Sequence, residues 1–185
     1  MIVEKDESDE SVATRVQAGD VEAFGVLVER YEEKLKRYGR RFLARSEDVE
    51  DIVQDVFIRS FQNIRSFDVA QRFSPWIYRS AHNAFINKIR ANRFHVFDVD
   101  FDALVAHHVY EDPKESAREH EEILTLLETG LSVLAPKYRE VLILHYYDGM
   151  PYKDIAEVLH VPLGTVSIRL KRAKEALKSH LAKKL

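Results

Sequence analysis

The chain contains no cysteine, so disulfide frameworks, thiolate zinc sites and cysteine nucleophiles are excluded. Glycine and proline are scarce, six and five among 185 residues. No Gly-rich loop of the GxGxxG or GKS kind is present, which argues against a nucleotide-binding βαβ domain. Long unbroken apolar runs are also missing and the mean hydropathy is −0.32, so no spanning helix is expected. The opening MIVEKDESDES has no basic region followed by an apolar stretch. It shows no secretory signal, and a cytoplasmic location is the expectation. What the chain does have is a hydrophobic content of 45%, enough for a core, and a length that suits one ordinary domain or two small ones. It reads as all-α.

A net charge of −3 conceals a strong asymmetry. Residues 1–93 are neutral, 94–130 carry a net −8, and 131–185 carry a net +5. The split suggests two modules joined by an acidic segment, with the C-terminal module suited to a polyanion. A merely solvated charge pattern would look the same, so motifs must decide.

From Ala23 the apolar residues Phe24, Leu27, Val28, Tyr31, Leu35, Tyr38 and Phe42 recur at spacings of three and four, which predicts an amphipathic helix. Asp20 can cap it. A second helix starts near Ser46, where Glu47, Asp48, Glu50 and Asp51 suit the positive end of the macrodipole. Its stripe is Val49, Ile52, Val53, Val56 and Ser60, extended sideways by Phe57, Phe61 and Ile64. Asp51, Gln54, Asp55 and Ile58 are left on a mixed outer face. Residues 65–74 read as a loop, with Ser74 as cap and Pro75 in the first turn of a third helix. Trp76, Ile77, Ser80, Ala81, Ala84, Phe85 and Ile89 form its packed side. Arg79, Asn83, Asn87 and Arg90 fall on another face, where basic groups can hold phosphates and amides can meet base edges. A solvated polar stripe has the same spacing.

The C-terminal stretch is more specific. Pro136 opens a helix carrying Tyr138, Val141, Leu142, Leu144 and His145, closed by Asp148-Gly149. A short helix from Tyr152 to Leu159 turns Ile155, Ala156 and Leu159 inward. After His160-Val161-Pro162 a long helix begins at Leu163, with Val166, Leu170, Ala173, Leu177 and Leu181 as its core stripe. Two helices across a short turn, the second basic on its outer face, predict a DNA-binding helix-turn-helix. Thr165 would cap the second helix or meet a phosphate. Ser167, Ile168, Lys171, Arg172, Glu175 and Lys178 would be exposed, with Arg169 and Lys174 at the margins.

Taken together, EDVEDIVQDVFIRSFQNIRSFD, FSPWIYRSAHNAFINKIR and LAPKYREVLILHYYDGMPYKDIAEVLHVPLGTVSIRLKRAKEAL resemble the extracytoplasmic-function (ECF) group of bacterial sigma-70 factors. That group keeps only regions 2 and 4. The resemblance implies two small helical domains, region 2 at 11–93 and region 4 at 120–185, joined by an acidic linker at 94–119. It implies a factor that binds core RNA polymerase and directs initiation at minus-10 and minus-35 promoter elements. Asp51, Gln54, Asp55 and Phe57 match the family's D-x-x-Q-[DE]-x-F pattern for docking on the β′ clamp helices. The loop carrying Ser66, Phe67, Asp68 and Arg72 would capture a melted minus-10 base, with Arg79, Asn83, Asn87 and Arg90 near the duplex edge. Thr165, Ser167, Ile168, Arg169, Lys171 and Arg172 would read the minus-35 element, while region 4 also docks on the β flap.

Departures from the pattern matter as well. Ser167 and Ile168 stand where a basic residue and then serine are common, so a shifted minus-35 preference is expected, with Ile168 against a thymine methyl. Pro75 stands where threonine is frequent. Trp76 could stack a base, but its place on the packed side favours a structural role. An anti-sigma partner is implied by the resemblance, and no membrane insertion, catalytic residue, metal or cofactor is expected. His107, His108, Glu111 and Asp112 match no specific metal spacing. The acidic linker could imitate nucleic acid in the polymerase or simply be solvated. Two other functions compete: a stand-alone helix-turn-helix regulator, which would bind duplex DNA as a dimer, and a magnesium-dependent nuclease or recombinase built on Glu47, Asp48, Asp51 and Asp55. The second is disfavoured because these carboxylates share one helix start, whereas metal sites draw on several elements.

Overall fold

In the first turn of the first helix, Asp9 and Glu10 sit where the macrodipole favours negative charge, and Ser8 accepts a hydrogen bond from the Ser11 amide at 3.2 Å. This helix, α1 (Asp9–Gln17), begins a computed structural model that describes residues 7–43, 45–92, 123, 130 and 134–182. Helical periodicity in the sequence starts only at Ala23. With Val12, Ala13 and Val16 as its buried residues, α1 is too short to show a sustained stripe. Asp20 caps as expected, but its Oδ1 accepts from the Ala23 amide of a 3-10 turn, Val21–Ala23, that runs into α2 (Phe24–Gly39).

The buried face of α2 is Phe24, Leu27, Tyr31, Leu35 and Tyr38, the predicted stripe. Gly39 ends this helix where a Cβ would lie 2.4 Å from Phe85 Cζ, so no larger residue fits. Helix α3 (Ser46–Gln62) buries Val49, Val53, Val56, Phe57 and Ser60. Helix α4 (Phe73–Asn92) buries Phe73, Ile77, Tyr78, Ala81 and Phe85. The core between them is aromatic: Tyr38 meets Tyr78 at 5.6 Å and Phe85 at 6.1 Å, edge to face. Such pairs add about 0.5–1.5 kcal/mol each beyond the area they bury.

The start of α4 differs from the sequence expectation. Ser74 is not its cap but lies inside the helix, hydrogen-bonded to Tyr31. The Phe73 amide at the helix entrance donates instead to Glu10 Oε1 of α1, at 2.9 Å. A carboxylate from a distant element thus does what a local cap usually does.

The described chain divides into two compact units, and the second holds the C-terminal helices. Helix α5 (Pro136–Leu142) has proline in its first turn, where the missing N–H costs nothing. It continues into a π turn, Ile143–Tyr147, with the Asp148 amide donating to the Ile143 carbonyl at 3.2 Å. Residues Glu140 to Leu144 are all buried, so this segment is surrounded by its neighbours. Helix α6 (Tyr152–Leu159) turns Tyr152, Asp154, Ile155 and Val158 inward. Ala156 and Leu159, expected inside, are only half-buried. His160 adopts a left-handed conformation, φ 53°, and Pro162 then leads into α7 (Leu163–Ala182). The stripe Val166, Leu170, Ala173 and Leu177 is buried as predicted. Among the described residues there is no strand, and no helix is long and apolar enough to cross a membrane.

Candidate nucleic-acid interface

Two helical stripes of the N-terminal unit face each other. Asp55 and Arg59 on α3, with Asn63 just past its end, and Ser80, Asn83 and Asn87 on α4 are spaced by three and four, so each set lines one side of its helix. Between them lies a groove of 640 Å³, open to solvent, with Trp76 and Ser66 also on its wall. Lys88 reaches across from α4 and pairs with Asp48 near the start of α3 at 3.0 Å. The hydrogen bond from Lys88 holds the Asp48 carboxyl below the usual carboxylate range. Amides, hydroxyls, an indole and cationic groups in one groove can meet base edges, a base face and phosphates.

Asn83 and Asn87 stand in this groove, and both are exposed. Arg79 is half-buried and outside the groove, while the Arg90 side chain lies outside the described residues. Ser66, Asp68 and Arg72 are exposed on the segment between α3 and α4. Phe67 requires correction: it is 4% exposed and its ring packs on Phe73 and Trp76 at 5.4 and 5.3 Å. Its ring belongs to the core, because an isolated exposed Phe there would forfeit this burial. Trp76 is shared between that cluster and the groove. Arg59, Asn63 and Lys88 carry no expectation from the sequence, and Ser80, expected on the packed side, is half-buried on the groove wall. Their spacing was visible, but which stripes oppose one another was not.

Along α3, Asp51, Gln54 and Asp55 are exposed, Asp55 at the rim of the groove, and Ile58 beside them is 48% exposed. Phe57 is again a correction. It is 7% exposed and packs edge to face against Phe24, so it supports this surface from below.

In the C-terminal unit, α7 exposes Lys171, Arg172, Glu175 and Lys178, and Ile168 is half-buried. Thr165, Ser167 and Arg169, expected at the surface, are 0%, 8% and 4% exposed. The helix is rolled further into the unit near its start than the apolar stripe alone suggested. The Thr165 amide donates to the Pro162 carbonyl at 2.9 Å, closing the first turn. Arg169 Nη1 pairs with Glu140 Oε1 of α5 at 3.2 Å. Burial pushes the Glu140 carboxyl up to about 8 and lowers the Arg169 guanidinium, and their mutual contact opposes both shifts. The linker at 94–119, with His107, His108, Glu111 and Asp112, lies outside the described residues, as does the Leu181 side chain.

Comparison with known proteins accounts for both units. The sequence matches the family model for Sigma-70 region 2 over residues 27–95 and that for Sigma-70, region 4 over residues 124–177. It is 34% identical to the ECF RNA polymerase sigma factor SigW of Bacillus subtilis over 177 residues, 90% of this chain and 93% of that one. It is 32% identical to the ECF RNA polymerase sigma-E factor of Escherichia coli over 177 residues, 92% of each. Among solved structures it is similar to CnrH in complex with the cytosolic domain of CnrY, with a TM-score of 0.69 and 26% identity over 96% of this chain and 99% of that one. The sigma factor RpoE of Bartonella quintana, solved with the anti-sigma factor NepR, shares the fold at a TM-score of 0.60 and 21% identity, over 86% and 96% of the two chains. With a region 2 and a region 4 in order on one helical chain, the protein belongs to the sigma-70 family, as an ECF sigma factor that directs transcription initiation at promoters.

Proposed function

We propose that the chain acts as a dissociable subunit of RNA polymerase and takes no chemical step itself, RNA synthesis being the polymerase's. Region 2 is assigned to 11–93, the acidic linker to 94–119 and region 4 to 120–185. The exposed Asp51, Gln54 and Asp55 dock on the β′ clamp helices, and region 4 docks on the β flap. Ser66, Asp68 and Arg72 take the melted minus-10 base, while Arg79, Asn83, Asn87 and Arg90 lie toward the adjoining duplex. Ile168, Lys171 and Arg172 face the minus-35 element. A cytoplasmic site of action and an anti-sigma protein partner belong to the same reading; the complex of CnrH with the cytosolic domain of CnrY supports a protein partner for a chain of this kind.

The observation that carries this reading is the groove in which Asn83 and Asn87 stand beside Trp76 and Ser66. It offers hydrogen bonds and a stacking face along one groove wall, about 16 Å from Trp76 to Asn87, a span of a few nucleotides. Co-elution with bacterial core RNA polymerase on a sizing column tests the docking, with a one-to-one complex as the expected result. Asp55→Lys should weaken that complex. A chain that stays free of core polymerase and binds duplex DNA as a dimer would instead be a stand-alone regulator.

A further inference from the structure

The segment between α3 and α4 is a run of tight turns. The Ser66 amide donates to the Asn63 carbonyl and the Gln71 amide to the Asp68 carbonyl, both at 2.9 Å. Asp68 Oδ1 also accepts from the Ala70 amide at 3.0 Å. These bonds set the local shape of the segment and say nothing about where it sits. Its placement comes from α1. The side-chain amide of Gln17 donates to two carbonyls at once, those of Ile64 and Phe67, each at 2.8 Å. At the far end Glu10 Oε1 accepts from the Phe73 amide.

Glu10 and Gln17 are seven residues apart, on one face of α1 and about 10 Å from each other along its axis. Entrance and exit of the segment are therefore pinned to a single rigid element. That element is itself held by Asp9, which pairs with Arg30 of α2 at 2.7 Å and accepts from the Tyr31 hydroxyl.

We propose that Gln17 and Glu10 are positioning residues for base capture, holding the segment that carries Ser66, Asp68 and Arg72 at a fixed distance from the α3–α4 groove. The inference rests on the minus-10 reading above. Unstacking a base costs free energy that a preformed pocket offsets, and a segment that must first be ordered on binding offsets less of it. Gln17 suits the task because its amide carries the two protons needed for two carbonyls. A carboxylate there would confront the same carbonyls with negative charge. At Glu10 only an acceptor is needed, so an amide oxygen serves equally.

The test uses the full chain assembled with core polymerase. The probe is forked DNA whose unpaired non-template hexamer is randomised, and the readout is which bases are enriched. The wild type is expected to enrich one base strongly at one position. Gln17→Glu and Gln17→Met should each reduce that enrichment about tenfold, with core-polymerase co-elution and duplex minus-35 preference within twofold of wild type. Glu10→Gln should keep the enrichment and Glu10→Leu should lose it. Should Gln17→Glu fold poorly, the near-isosteric Gln17→Met decides. Enrichment by both Gln17 variants within twofold of wild type would overturn the proposal. So would an equal loss of minus-35 preference in Gln17→Met, the mark of a merely structural role. A wild type with no enrichment at any unpaired position would overturn the minus-10 reading, and this inference with it.

Discussion

Arg169 Nη1 lies 3.2 Å from Glu140 Oε1, and this contact ties α7 to α5 inside the C-terminal unit. An apolar stripe alone tolerates a small roll of one helix on another, whereas a buried ion pair is satisfied in one register. Arg169 therefore helps fix which face of α7 carries the exposed Lys171 and Arg172. Arg169→Met should destabilise the unit by about 1–3 kcal/mol, because the buried Glu140 carboxyl loses its hydrogen-bond partner. Glu140→Leu combined with Arg169→Met should recover most of the loss. Urea unfolding of the single and double variants measures both; a single variant as stable as wild type contradicts the assignment.

Lys171 is exposed on the same helix and carries the opposite expectation. Lys171→Ala should leave stability within about 0.5 kcal/mol. It should lower the slope of log affinity against log salt by about one for promoter duplex, as loss of one phosphate contact would. Titrations of the polymerase complex at several salt concentrations would show it. An unchanged slope would take Lys171 off the interface.

Part of the acid sensitivity should lie in the ion pair at the start of α3. The Asp48 carboxyl sits below its ordinary value of 3.8 because of Lys88. A carboxyl lowered by folding contributes stability that is present above the unfolded value and disappears as pH falls through the folded one. Stability should thus decline on acidification below about pH 4, and Asp48→Asn should flatten that decline. Thermal melts between pH 6 and pH 3 compare the two proteins. An identical pH dependence would show that the pair contributes nothing.

His160 holds a conformation that side chains avoid, φ 53°, at the turn of the helix-turn-helix. Its side chain is exposed. His160→Gly removes the Cβ clash and should stabilise the unit by up to about 1 kcal/mol. The melting temperature reports the change. A lower value would mean that the imidazole makes a compensating contact.

Periodicity and spacing determined a good deal of this protein. The stripes of α2, α3 and α7, the proline start of α5 and the two-module order were legible because apolar spacing of three and four can be satisfied in only one way, by burying that face. The exposed acidic face of α3 and the basic face of α7 followed as the complements of those stripes. The tertiary structure decided what spacing cannot encode: which stripes oppose one another, and which polar groups are turned inward. Phe57 and Phe67 look like recognition residues until Phe24, Phe73 and Trp76 are seen around them. Thr165 and Ser167 are buried by the packing of α7, and Arg169 reads as surface until Glu140 supplies a buried partner 29 residues away. The role of α1 was hidden for the same reason. Gln17 and Glu10 are ordinary surface types in sequence, and only folding brings them against carbonyls and an amide about 50 and 63 residues distant.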